Sequence, residues 1–155
     1  MTHEGRLRVG MDLVEVEQVA ASVERFGDRY LNRVFTAHEV ASCPGPPSVA
    51  APGLAARFAA KEATIKVLRP TANQPDWRSM EVRRTTGGWC TMVLSGHAAA
   101  MADEAGIEEL AVSLTHEETV AGAVVVALCH GGDERADEPG AHLSDLPLKG
   151  EHTDG

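Results

Sequence analysis

Residues 54–68, reading Leu-Ala-Ala-Arg-Phe-Ala-Ala-Lys-Glu-Ala-Thr-Ile-Lys-Val-Leu, leave this chain the least freedom of fold. Alanine and other strong helix formers dominate the run, and Phe58, Ile65 and Leu68 supply a face to bury. Pro70 stops the helix. The segments around it decide the fold class. Before it, residues 6–11 alternate apolar Leu7, Val9 and Met11 with polar or small residues, which predicts a strand reaching Asp12. Val16, Val19, Val23 and Phe26 then recur at helical spacing, with Asp12 able to cap that helix and Gly27 to end it. Thr36 and Glu39, behind Phe35, have capping-box spacing and predict a short helix up to Cys43. Residues 44–53, with four prolines and two glycines, read as a loop.

Beyond the central helix, residues 71–76 have loop composition, and residues 80–85 and 89–94 form a β-hairpin through Gly87 and Gly88. An alanine-rich helix over residues 97–105 ends at Gly106, and residues 110–115 and 120–128 make a final β pair. Strands and helices do not alternate regularly, so the expectation is an α+β fold, a mainly antiparallel sheet packed against helices.

At 155 residues and 43% hydrophobic the chain suits one domain. Its charge of -9 argues against nucleic-acid binding. The apolar run 120–129 is too short for a bilayer, and the N-terminus, with Glu4, Arg6 and Arg8, lacks a signal-peptide core. The expectation is therefore a cytoplasmic protein without membrane contact. Cys43, Cys90 and Cys129 are odd in number and widely spaced, and read as free thiols. Residues 130–155 hold seven of the 23 acidic residues but only Arg135 and Lys149 of the 14 basic ones, which leaves that stretch at -5. With no apolar periodicity, residues 131–155 read as a disordered acidic tail behind a domain spanning residues 1–130.

Three places could carry chemistry. Asp12 closes the first strand, where its carboxylate could hold a hard cation or simply cap a helix. On the central helix Glu62 and Lys66 stand four apart, the spacing of an ordinary stabilising pair. Arg57 and Lys61 precede them at the same spacing and would make one face of three cations and one carboxylate, suited to a polyanion. His116 ends a strand and falls in a tight turn with Glu117 and Glu118, with no second histidine at metal-ligand spacing.

Taken in order, the stretches VGMDLVEVEQV, ARFAAKEATIKVL and VSLTHEETVAGAVVVAL resemble the three signature segments of the holo-acyl-carrier-protein synthases, within the 4'-phosphopantetheinyl transferase superfamily. The resemblance implies a magnesium-dependent enzyme that transfers 4'-phosphopantetheine from coenzyme A to a serine of an apo acyl carrier protein. Adenosine 3',5'-bisphosphate is the other product. It further implies a homotrimer with coenzyme A sites between subunits, magnesium held by Asp12 and Glu62, and Lys66 stabilising the departing bisphosphate. Arg57, Lys61, Lys66 and His116 become candidate coenzyme A contacts, with Glu62, Lys66 and His116 the catalytic candidates. The serine proton goes to Glu62 or to a metal-activated water, a choice the sequence leaves open.

Two departures from the family pattern stand out. Val67, Leu68, Arg69, Pro70 and Thr71 replace a Gly-Thr-Gly type turn, leaving Arg69 as the side chain available to the ligand, and Gln18 stands where relatives carry a carrier-binding arginine. Arg25, Arg29 and Arg33 recur every four residues and could restore that charge if helix continues or restarts past Gly27. The carrier could then be a polyketide-type protein instead of the fatty-acid one. Other readings are a catalytically impaired carrier-protein or coenzyme A binding paralogue, and a magnesium-dependent nucleotide hydrolase. The tail yields a direct test: deletion after His130 should leave assembly and activity essentially unchanged, measured by light scattering and turnover.

Overall fold

In the computed structural model, which describes residues 5–130, strand β1 (Arg6–Glu15) leads into helices α1 (Val16–Phe26), α2 (Asp28–Val34), α3 (Ala37–Ala41) and α4 (Pro47–Leu68). A 3-10 turn (Trp77–Ser79) opens the hairpin of β2 (Met80–Arg84) and β3 (Cys90–Leu94), and α5 (Gly96–Glu104) precedes β4 (Ile107–His116) and β5 (Val120–Cys129). The long strands form an antiparallel sheet in the order β1-β5-β4, and β2 and β3 pair separately. The α+β expectation holds. The tail expected over residues 131–155 lies outside the described residues.

Side chains alternate across a sheet, and here the two faces differ. Gly10, Val14, Ala121, Ala123, Val125 and Ala127 are buried on the face that meets α4, whereas Leu7, Val9, Met11 and Leu13 project from the other, each more than half exposed. α4 is enclosed on nearly all sides: Ala51, Ala55, Ala59, Ala60, Ala63 and Val67 have no accessible surface. Alanine lets the helix backbone come close. A β-carbon at Gly10 would lie 2.1 Å from the Ala63 carbonyl oxygen, so only glycine fits at this crossing.

Several elements depart from the sequence reading, each for a local reason. Residues 44–53 are not all loop, since α4 already starts at Pro47 with Pro46 as its cap residue. Proline at the first helical position gives up an N–H that has no helical acceptor there anyway. Pro52 sits inside the helix and forgoes one bond to the preceding turn, while Ala50 and Ala51 beside it are buried. Asp12 does not cap α1. β1 continues past it, and Glu15 takes the cap position without a side-chain bond to the helix backbone. At Gly27, φ of 53° breaks the chain direction between α1 and α2. The Thr36–Glu39 capping box forms as expected, Glu39 N–H donating to Thr36 Oγ1 at 3.2 Å and Thr36 N–H to Glu39 Oε2 at 2.9 Å.

The Gly10 crossing yields a measurable consequence. Gly10→Ala forces backbone against backbone, with an expected cost of about 2 kcal/mol or more. Thermal denaturation should show Tm lower by roughly 5–10 °C.

Candidate active site

Two residues beyond Gly10, on the same side of β1, the strand presents Asp12 to α4. The close approach at Gly10 thus delivers a carboxylate to the helix. Lys66 meets it there, its ammonium donating to Asp12 Oδ1 at 3.0 Å and to the Met11 carbonyl at 2.7 Å. Sequence spacing suggested a Glu62–Lys66 pair along the helix, but the ion pair of Lys66 runs across to Asp12 on β1. Glu62, one turn earlier, completes the group. Burial raises its carboxyl pKa above the ordinary value, the nearby Asp12 charge raises it further, and Lys66 opposes both.

Among the described residues no set of three or more His, Cys, Asp or Glu is gathered for a metal ion. Asp12 and Glu62 still make a fitting donor pair, because magnesium takes one or two carboxylates and fills the rest of its octahedron with phosphate and water. Burial is the larger cause of the upward shift of Glu62 and repulsion from Asp12 the smaller, and a divalent cation would relieve the second.

A second charged group lies apart from the first. A cavity of about 540 Å³ is lined by Cys43, Pro44, Gly53, Arg57, Arg84 and His116, among others. Arg57 enters from α4, with one guanidinium nitrogen donating to the Gly53 carbonyl at 3.1 Å. Arg84 comes from the end of β2, its Nε donating to the Gly88 carbonyl at 3.2 Å. His116 is the last residue of β4, paired with Ala121 and exposed, so it belongs to the strand end and not to the turn beyond. Arg84 was not foreseen. The one signal for it was a pair of arginines in a strand beside a two-glycine turn.

The expected cationic face of α4 does not exist as drawn. Lys61 is fully buried and cannot touch a ligand in solution, which corrects its assignment as a coenzyme A contact. Its ammonium pairs with Glu39 Oε2 at 2.8 Å and donates to the carbonyls of Trp77 at 2.8 Å and Met80 at 2.6 Å. Four-residue spacing says which side chains line up, but an enclosed helix has no solvent face to put them on. Past Gly27 helix restarts as α2, which carries Arg29 and Arg33. The break at Gly27 leaves Arg25 over the Phe26 ring, while Arg29 and Arg33 line a cavity of about 290 Å³ with Phe26 and Tyr30. Arg69 ends α4 in the left-handed region, φ 53°, and lines a different, smaller cavity with Arg8, Thr71 and Glu104.

The chain has counterparts in sequence and fold among known proteins. Residues 8–129 match the model of the 4'-phosphopantetheinyl transferase superfamily. A holo-[acyl-carrier-protein] synthase of Koribacter versatilis is 40% identical over 121 residues, covering 77% of this chain and 96% of that protein. The Chronobacterium ammoniagenes ACPS–CoA complex superposes with a TM-score of 0.69 at 29% identity, over 81% of this chain and 98% of that one. The Helicobacter pylori holo-[acyl-carrier-protein] synthase in complex with coenzyme A gives 0.65 at 25% identity, over 77% and 99%.

The Glu62 shift has a consequence for stability. A carboxyl whose pKa is raised on folding favours the folded state when protonated, and that advantage is lost as pH rises through the folded value. Glu62→Gln, which cannot ionise, should therefore raise Tm at pH 7 by about 1–3 °C in metal-free buffer. The gain should vanish below about pH 4, where glutamate is protonated in both states, as read by melting curves across pH.

Proposed function

Because the chain belongs to the 4'-phosphopantetheinyl transferase superfamily, we propose that it is a holo-acyl-carrier-protein synthase: it moves 4'-phosphopantetheine from coenzyme A to a serine of apo acyl carrier protein and releases adenosine 3',5'-bisphosphate. The observation that carries this reading is the meeting of Asp12, Glu62 and Lys66 where β1 crosses α4, two carboxylates and an ammonium from segments far apart in sequence. Such a set suits a phosphoryl transfer, which needs charge placed around phosphate more than covalent chemistry from the protein.

Asp12 and Glu62 would hold magnesium, which when bound neutralises pyrophosphate charge. Lys66, half exposed at the edge of this group, sets a positive charge where the bisphosphate leaves as the phosphorus–oxygen bond to it breaks. The carrier serine oxygen forms the new bond to that phosphorus. Its proton goes to a base, for which Glu62 is the carboxylate this chain supplies. Arg57 and Arg84 gather positive charge, with the imidazole of His116 beside them, around a cavity fit for the phosphates at the nucleotide end of coenzyme A. Arg29 and Arg33, flanking the apolar ring of Phe26, suit an acidic carrier surface with an apolar residue at its centre.

Assembly into a homotrimer in the cytoplasm completes the reading. Leu7, Val9, Met11 and Leu13, with Val120 and Val124 beside them, form an apolar sheet face that one copy leaves open to water. A second copy of the chain covers it. Among the described residues no helix is long and apolar enough to cross a membrane.

The test uses coenzyme A, magnesium and apo acyl carrier protein, with intact mass as the readout. A phosphopantetheine adduct should form, and should fail to form when EDTA is present from the start. Asp12→Ala should lower kcat by about 10²-fold or more with the fold retained. Release of the bisphosphate without a carrier would mark a hydrolase instead, and coenzyme A binding without either product an inactive paralogue.

A further inference from the structure

We propose that the buried Glu39–Lys61 ion pair is a positioning element for the transfer reaction, fixing α4 against two of the three other walls of the Arg57–Arg84–His116 cavity; this rests on coenzyme A being the ligand there. Both side chains have no accessible surface, all three donors of the Lys61 ammonium are used, and both oxygens of Glu39 accept. The Lys61 ammonium has three donors and meets three acceptors: Glu39 Oε2, the Trp77 carbonyl and the Met80 carbonyl. Glu39 in turn accepts from Val82 N–H on Oε1 and from Thr36 N–H on Oε2, both at 2.9 Å.

The segments so joined carry three walls of the cavity, and β4 adds His116 as the fourth. α3 runs on from Glu39 into Cys43 and Pro44, which form one wall. β2, held at Met80 and Val82, ends in Arg84, a second wall. On α4, Lys61 lies one turn after Arg57 and next to Glu62, so the pair fixes the helix at the point that serves both charged groups. An apolar pair of similar volume could fill this space, but it would leave the Thr36 and Val82 N–H groups and the Trp77 and Met80 carbonyls without these partners. Without directional bonds it would not hold three segments in one register, which is what the pair contributes that methionine and leucine could not.

The full-length Glu39→Gln/Lys61→Met double variant tests this, since it removes both charges and leaves no lone ion in the core. Its circular dichroism should match the wild type. KM for coenzyme A should rise about 10-fold and kcat fall about 10-fold, because Arg57 and Glu62 both shift, while KM for the carrier stays unchanged. A merely structural role would only reduce the active fraction, so lower kcat with an unchanged KM for coenzyme A overturns the proposal. If the double variant does not fold, Glu39→Asp keeps the charges and draws the carboxylate back by one methylene. A rise of about 3-fold or more in KM for coenzyme A is then expected, and a folded Glu39→Asp with wild-type constants overturns positioning. Wild-type protein that yields no adduct overturns the transferase reading itself, and with it the role given to the pair.

Discussion

Everything in this protein that resembles a reaction centre depends on how closely α4 approaches β1. The Ala63 carbonyl occupies the space a side chain at Gly10 would need, and that contact sets the depth at which the helix lies on the sheet. Asp12, two residues along, is carried with the strand to the line of Glu62 and Lys66. A helix lined with leucine would stand farther from the sheet, since interaxial distance follows side-chain size. Alanine thus serves position first. As a core residue it buries little apolar area, and Phe35 is the largest of the fully buried side chains.

That thin core gives the open sheet face its meaning. The chain has only six aromatic residues, and among the described residues Trp89 and Phe26 stand substantially exposed. Meanwhile Leu7, Val9, Met11 and Leu13 lie in one row on β1, facing away from α4. The sheet is apolar on both sides, as in sheets covered on both faces, yet one copy of the chain covers only one of them. Association would supply buried area that the fold of a single copy lacks.

Charge is divided with similar economy. Two lysines on α4, Lys61 and Lys66, differ by five positions and by the whole character of their surroundings. Lys61 loses its hydration and is compensated by one carboxylate and two carbonyls in a closed site, and burial still pulls its pKa below the ordinary value while Glu39 draws it back. Lys66 keeps half its surface in water and donates to the Asp12 carboxylate and the Met11 carbonyl. The first arrangement holds elements together, and removing one partner from it would leave an uncompensated buried charge, a loss of about 3–5 kcal/mol. The second remains available to a ligand.

The sequence by itself determined the hairpin at Gly87 and Gly88, the Thr36–Glu39 capping box, the central helix and the antiparallel α+β class, because each rests on contacts between near neighbours or on a short repeat. It also determined the family, through the order of three segments that include Asp12, Glu62, Lys66 and His116. Helix start at Pro47, the course of β1 past Asp12 and the separate helix α2 were not legible, since proline and a polar strand end carry two local meanings that only packing separates. Which charges face outward was decided by tertiary structure alone. Periodicity places Arg57 and Lys61 on one line of α4, but whether that line meets water or the backbone at Trp77 and Met80 depends on segments 16 and 19 residues away in sequence. The pairing of Lys66 with Asp12, 54 residues apart, and the entry of Arg84 into the cavity are of the same kind, because burial and long-range contact are properties of the assembled chain and leave no period in the sequence to read.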